Sequence, residues 1–194
     1  MPVDSMQPVR QSHTYTVLAV AATFWLALAA WLFYLYRSER DYEQNYFSRL
    51  EKRNLIPVYH PGDVIPYNDS RKLLWVGWSG PETGFRWSGE KEQIGFLFRT
   101  NATDNWKCPC KLKFDVRYTR GTQHVTLRID GKTIASEAIT NTGTLAFDIP
   151  PGRIPPNSIV SVQLLLPDAG PPGVNADNRV LGIAITDFVI DSSG

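Results

Sequence analysis

Glu82 and Arg86 lie between Trp78 and Trp87 in the stretch LLWVGWSGPETGFRWSG, residues 73–89. A carboxylate, a guanidinium and two indoles in so short a span are the materials of sugar recognition. Planar donors and acceptors meet hydroxyls, and a ring face meets the C–H side of a pyranose. Further on, Asp177, Asn178 and Arg179 stand together just before the last apolar run. Those three can approach the first group if the first and last strands of the fold are neighbours. Trp78, Glu82, Arg86, Trp87, Asp177, Asn178 and Arg179 then form one candidate ligand site. The competing reading is a structural ion pair, Glu82 with Arg179 for example, tying the two ends of a domain together over core tryptophans.

No hydrolytic or transferase constellation emerges. A nucleophile, base and acid triad normally takes His as its base. Of the three histidines, His13 falls in the polar leader, His60 in a proline-containing linker and His124 on the solvent side of an expected strand. Two carboxylates would serve a glycosidase, but spacing singles out no pair among Glu82, Asp104, Asp115 and Asp177. The chain is therefore read as non-catalytic. Its two cysteines, Cys108 and Cys110, are too few for a disulfide framework. Alternate strand residues lie about 7 Å apart at Cα, long for an unstrained disulfide, although a turn at Pro109 would close that gap. A disulfide in an oxidising compartment, free thiols and a metal-ligand pair all stay open. Zinc sites want four ligands, usually from two separated pairs, and no His is near, so no metal or other cofactor is expected.

Two kinds of element must position these side chains. Residues 15–36 read YTVLAVAATFWLALAAWLFYLY without a charge, long enough at about 1.5 Å per residue to cross a hydrocarbon layer of about 30 Å. Aromatic rings and Arg37 follow the run, as at the end of a permanent anchor rather than a cleaved signal peptide. Ala19, Thr23 and Ala27 share one face and are candidates for close packing against a partner helix. The polar residues 1–14 read as a disordered tail, and the charged residues 37–53, with Tyr42, Tyr46, Phe47 and Leu50 at helical spacing, as a helical stalk. Asn54 and Pro57 stop that helix, and residues 54–71 form a linker or strap.

From residue 72 to 194 the pattern has period two: Ile94, Phe96 and Phe98, then Leu112, Phe114, Val116 and Tyr118, then Val125, Leu127 and Ile129, and so on to the end. Leu74, Val76 and Trp78 read as a short buried strand, and Phe85 and Trp87 as a second, with Arg86 on the opposite face. Asp130-Gly131 is the clearest hairpin turn. A parity shift before Phe188 and Ile190 predicts a bulge near Thr186 or Asp187. Eight or nine antiparallel strands without helical periodicity describe an all-β sandwich, and a jelly roll places the first and last strands side by side. An immunoglobulin-like sandwich is the alternative, without its usual Cys, Trp, Cys spacing. Net charge is +1, which argues against a nucleic-acid partner held by phosphate neutralisation.

Several phrases resemble one known family. GWSGPETGFRWSG, QIGFLF, VTLRIDGKTI, FDIPPGRI and LLLPDAGPPGVNADNRVLGIAITDFVI look like the β-sandwich domain at the end of bacterial membrane glycosyltransferases and related cell-envelope polysaccharide proteins. In that family a Gly-Trp, acidic, Arg-Trp cluster opens the domain and an Asp-x-Arg-x-Leu-Gly phrase closes it. The resemblance implies an extracytoplasmic role in building or modifying surface polysaccharide. This chain has the domain and one anchor but no catalytic domain. In a bacterial envelope protein the matches to the glycosylation sequon at Asn68 and Asn101 would carry no meaning.

The expectation is thus a single-pass protein of the bacterial inner membrane with a periplasmic sandwich. It would be a non-catalytic accessory that binds glycan or docks on a membrane glycosyltransferase. Arg37, Arg40, Arg49, Lys52 and Arg53 after the helix, against Arg10 before it, favour the opposite orientation by the positive-inside rule. Interleaved Glu39, Asp41, Glu43 and Glu51 and the distance of the last bases from the membrane weaken that count. A purely structural interaction subunit and a carboxylate-based glycan enzyme are the rival functions.

Overall fold

The computed structural model describes residues 9–89, 93–106, 109–171 and 179–191. It contains two compact units, Met1–Arg53 and Asn54–Gly194.

The first unit is one continuous helix, α1 (Val9–Lys52). It begins earlier than the disordered tail expected for residues 1–14, because nothing from Val9 onward breaks a helix that the apolar run already propagates. Within it Val17–Arg37 has a mean hydropathy of 2.0. By length and composition this segment can cross a membrane. The apolar stretch and the charged stretch are one helix with no break between them. Thr23 Oγ1 donates to the Ala19 carbonyl at 2.8 Å, the back-bond that lets a hydroxyl sit in an apolar helix. The helix stops after Lys52, and Asn54 takes a left-handed φ of 51°, as an asparagine can at a helix end.

The second unit is an antiparallel β-sandwich. Its strands are β1 (Ile65–Pro66), β2 (Leu74–Val76), β3 (Arg86–Trp87), β4 (Gln93–Arg99), β5 (Cys110–Thr119), β6 (Gln123–Ile129), β7 (Lys132–Ile139), β8 (Gly143–Ile149), β9 (Ile159–Leu165) and β10 (Ile183–Asp191). One sheet runs β1-β10-β5-β8 with β3 also on β10, and the other runs β2-β4-β9-β6-β7. This is jelly-roll order, with the first and last strands paired as expected. Inward residues alternate along each strand, and Phe96, Phe98, Phe114, Phe147 and Phe188 fill the space between the sheets. The β6–β7 turn is Asp130-Gly131, both with positive φ, as a tight hairpin requires.

Two opposed bulges lie in the β10–β5 pair. Thr186 is the extra residue on β10, where the sequence predicts one, and Arg117 is the extra residue on β5. The second reverses the facing of everything after it. Val116 points into the core, whereas Tyr118, expected to continue that inward set, is 44 % exposed.

The opening strands also face otherwise than their sequence suggests. Leu73 is fully buried and Trp75 packs on the core, while Val76 is exposed. Gly77, at φ 73°, then turns the backbone so that Trp78 joins Trp75 on the inner side. In β3, Arg86 is the residue that faces inward, and Phe85 and Trp87 lie on the outer side. β3 pairs with β10 so that Arg86 stands opposite inward Ile185 and Trp87 opposite Ala184.

The strap is integral to the sandwich. Tyr59 N donates to Arg99 O at 3.0 Å and Arg99 N to Pro57 O at 2.7 Å, which stitches the segment to β4. The Tyr59 hydroxyl accepts from Ile190 N at 2.7 Å and donates to Asp63 O at 2.8 Å, which stitches it to β10 in the other sheet. Its ring is buried against Phe98, Trp106 and Phe188. Burial raises the phenol pKa above its ordinary range.

Candidate functional site

Residues 77–89 fold into a small hairpin on the side of the sandwich. Gly89 N donates to Gly77 O at 3.2 Å, Ser79 N to Trp87 O at 3.0 Å and Glu82 N to Phe85 O at 2.9 Å. Gly84, at φ 88°, makes the tip, and its N–H donates to the Tyr67 hydroxyl at 3.0 Å. The returning arm docks on the start of β10 through Ser88. That buried hydroxyl accepts from Gly182 N at 2.7 Å and from Ile183 N at 3.1 Å. The same docking brings Arg179, which precedes β10, to the hairpin tip. Its Nη1 meets Glu82 Oε1 at 2.6 Å, with the two side chains 39 % and 36 % exposed.

The sequence-derived cluster is therefore divided. Glu82 and Arg179 meet. Trp78 faces inward, donates its indole N–H to Gly95 O at 3.0 Å and packs on Trp75 and Phe96, so its polar group is already engaged. The Arg86 guanidinium lies over the Trp75 ring, 4.8 Å from its centroid, and burial lowers its pKa. Asp177 and Asn178 lie outside the described residues. Cys110 is disulfide-bonded, and Cys108, the other cysteine of the chain, lies outside the described residues. No group of three or more metal-ligating side chains occurs among the described residues.

On the outer face Trp87 has companions that sequence reasoning missed. Its ring lies nearly parallel to Tyr118, 22° between planes and 6.2 Å between centroids. Phe85 stands edge-on to both, at 6.1 Å and 5.1 Å. Trp87, Ala184 and Tyr118 form one cross-strand row, and the small, fully buried Ala184 lets the flanking rings meet above it. Arg117, the bulged residue, turns toward this cluster. Its Cζ is 5.9 Å from the Phe85 centroid and 5.5 Å from that of Tyr118, and its Nε donates to Tyr118 Oη at 3.2 Å. The legible signal was the aromatic at Tyr118 itself; the bulge that exposes it leaves no mark in the hydrophobic pattern.

The next outward row along the strands is polar, with Pro66, Asp187, Asp115 and Thr144 in register. Thr144 Oγ1 donates to Asp115 Oδ1 at 2.9 Å. Partial burial and then the Asp115 charge hold the Asp187 carboxyl above its ordinary pKa. The folded state thus binds this proton more tightly than the unfolded chain does. The stability it contributes is present below the ordinary carboxylate pKa and is lost as pH rises through the raised value. Asp187→Asn is expected to raise the melting temperature at pH 7 and to leave it little changed near pH 3. Melting of both proteins across that range checks this, and an equal difference at the two ends would contradict it.

The Glu82–Arg179 pair gives a second expectation. At this exposure its coupling energy in a double-mutant cycle should stay below about 1 kcal/mol. A larger coupling, measured by denaturation of Glu82→Gln, Arg179→Ala and the double variant, would mark the pair as a structural tie.

No protein-family model matches the chain, and no curated protein matches it. Among solved structures it is similar to an acetyl xylan esterase from the rumen bacterium Butyrivibrio proteoclasticus, at 12% identity and a TM-score of 0.41, over 68% of this chain and 34% of that one. A second similar structure is a Paenibacillus cycloisomaltooligosaccharide glucanotransferase complexed with cycloisomaltoheptaose, at 12% identity and 0.36, over 69% and 19%. A third is a family 35 carbohydrate-binding module from Clostridium thermocellum, at 12% and 0.33, over 70% and 97%. The chain therefore spans about a third of the esterase and a fifth of the glucanotransferase. At these scores the likenesses describe those proteins and carry no argument about this one.

Proposed function

We propose that this chain is a single-pass protein of the bacterial inner membrane whose periplasmic β-sandwich binds glycan, as a non-catalytic accessory of cell-surface polysaccharide assembly or modification. The observation that carries this reading is the outer-face row of Trp87 and Tyr118 with Phe85. Aromatic rings left on the surface of a domain with ample core invite a ligand with apolar faces and polar edges, which describes a pyranose. The polar row of Asp115, Asp187 and Thr144 lies about 7 Å further along the strands and can receive hydroxyls. Asp115 and Asp187 stand opposite each other on adjacent strands, which sets two hydroxyl acceptors side by side. Helix α1 supplies the anchor, and docking on a membrane glycosyltransferase would bring the site to a growing chain.

The test uses the full chain in lipid nanodiscs. Binding to a panel of bacterial surface oligosaccharides is expected, together with an active C-terminal phosphatase fusion, which reports an extracytoplasmic sandwich. A cytoplasmic report combined with no glycan binding would leave the structural-subunit reading.

A further inference from the structure

Arg117 is held in place without a carboxylate partner among the described residues. Its Nε is fixed on Tyr118 Oη, and its guanidinium rests against the Phe85 and Tyr118 rings. Gly84 closes the third side, where a Cβ would come within 3.2 Å of Nη1. Among the described residues Arg117 has no carboxylate partner, and its side chain makes no other polar or ring contact. The other arginine at this site, Arg179, is already engaged by Glu82. Asp115, two residues earlier on the same strand, accepts from Thr144 and faces Asp187 instead. A guanidinium that is oriented by its neighbours, exposed and without a carboxylate among the described residues offers its remaining N–H groups as a fork for a planar anion.

We infer that the sugar taken by this site is acidic, a pyranose stacked on the Trp87 and Tyr118 rings with its carboxylate on the Arg117 guanidinium. The inference rests on the glycan-binding reading above. The geometry follows from the sugar itself. A carboxylate carried equatorially on a pyranose lies at the edge of the ring, near its mean plane. When the ring stacks on an aromatic face, that carboxylate projects sideways to where Arg117 waits beside Tyr118. A neutral sugar would leave the fork unfilled.

Oligouronates and their methyl esters are matched probes, since esterification removes the charge and leaves the ring. With the full chain in nanodiscs, the acid should bind about tenfold or more tightly than the ester, a ratio expected of one charge-assisted pair. Arg117→Ala should abolish that preference, and Arg117→Lys should keep part of it. Added salt should weaken the acid alone. Melting by circular dichroism establishes that each variant is folded. Equal binding of acid and ester, or a preference that survives in folded Arg117→Ala, overturns the inference. If neutral oligosaccharides bind through Trp87 and uronates do not, this inference fails and the glycan-binding reading stands. If no glycan of any kind binds the wild-type chain, that reading fails and takes the inference with it.

Discussion

Tyr59→Ala is expected to lower the stability of the sandwich by about 3 to 5 kcal/mol, the range for removing a large buried aromatic side chain. The ring is fully buried among Phe98, Trp106 and Phe188, so its loss opens a cavity that three other rings cannot jointly fill. The hydroxyl adds a separate effect, because Ile190 N–H is left buried without an acceptor. Tyr59→Phe isolates that part and should cost about 1 to 3 kcal/mol. Thermal and denaturant unfolding of both variants measures the two contributions. A loss below about 1 kcal/mol for Tyr59→Ala would mean that residues before β1 merely lean on the domain.

The second large effect separates two tryptophans that the sequence treats alike. Trp78→Ala should destabilise by about 3 kcal/mol, since the indole packs on Trp75 and Phe96 and satisfies Gly95 O. Trp87→Ala should cost about 1 to 2 kcal/mol of stability, from its contacts with Phe85 and Tyr118. It should nevertheless weaken glycan binding by at least about tenfold, as loss of a central aromatic anchor does. Calorimetric binding and melting of the two variants give opposite orders of severity if the outer-face row is the site. The same order in both measurements would make Trp87 another structural ring.

Much of the fold is legible in period-two runs because one face of each strand is buried, and the Asp130-Gly131 turn and the Thr186 bulge can be read off directly. The opening cluster is less legible for a physical reason. Facing in a strand is counted from its neighbours, and a single residue that leaves the count inverts it. Gly77 does so in the first arm of the hairpin and Arg117 does so in β5. Trp75 and Arg86 therefore turn inward where the pattern expects Val76 and Trp87, and Tyr118 turns out. The meeting of Glu82 and Arg179 could be anticipated because it follows from topology, which brings the first and last strands together whatever their facing. The aromatic row could not, since it depends on a bulge that no residue type announces.

Among the described residues β10 is the last strand to be synthesised, yet it is the strand on which both β1 and β3 pair. The Tyr59 hydroxyl and the Ser88 hydroxyl also await backbone N–H groups on or beside that strand. Tyr59 and Ile190 are 131 residues apart, so at about 5 to 20 residues per second the early segment waits roughly 7 to 26 s for its partner to emerge. A nascent chain therefore carries its aromatic hairpin unpaired until β10 has emerged. The outer-face row waits with it, because Trp87 and Tyr118 are brought together across Ala184 of that strand.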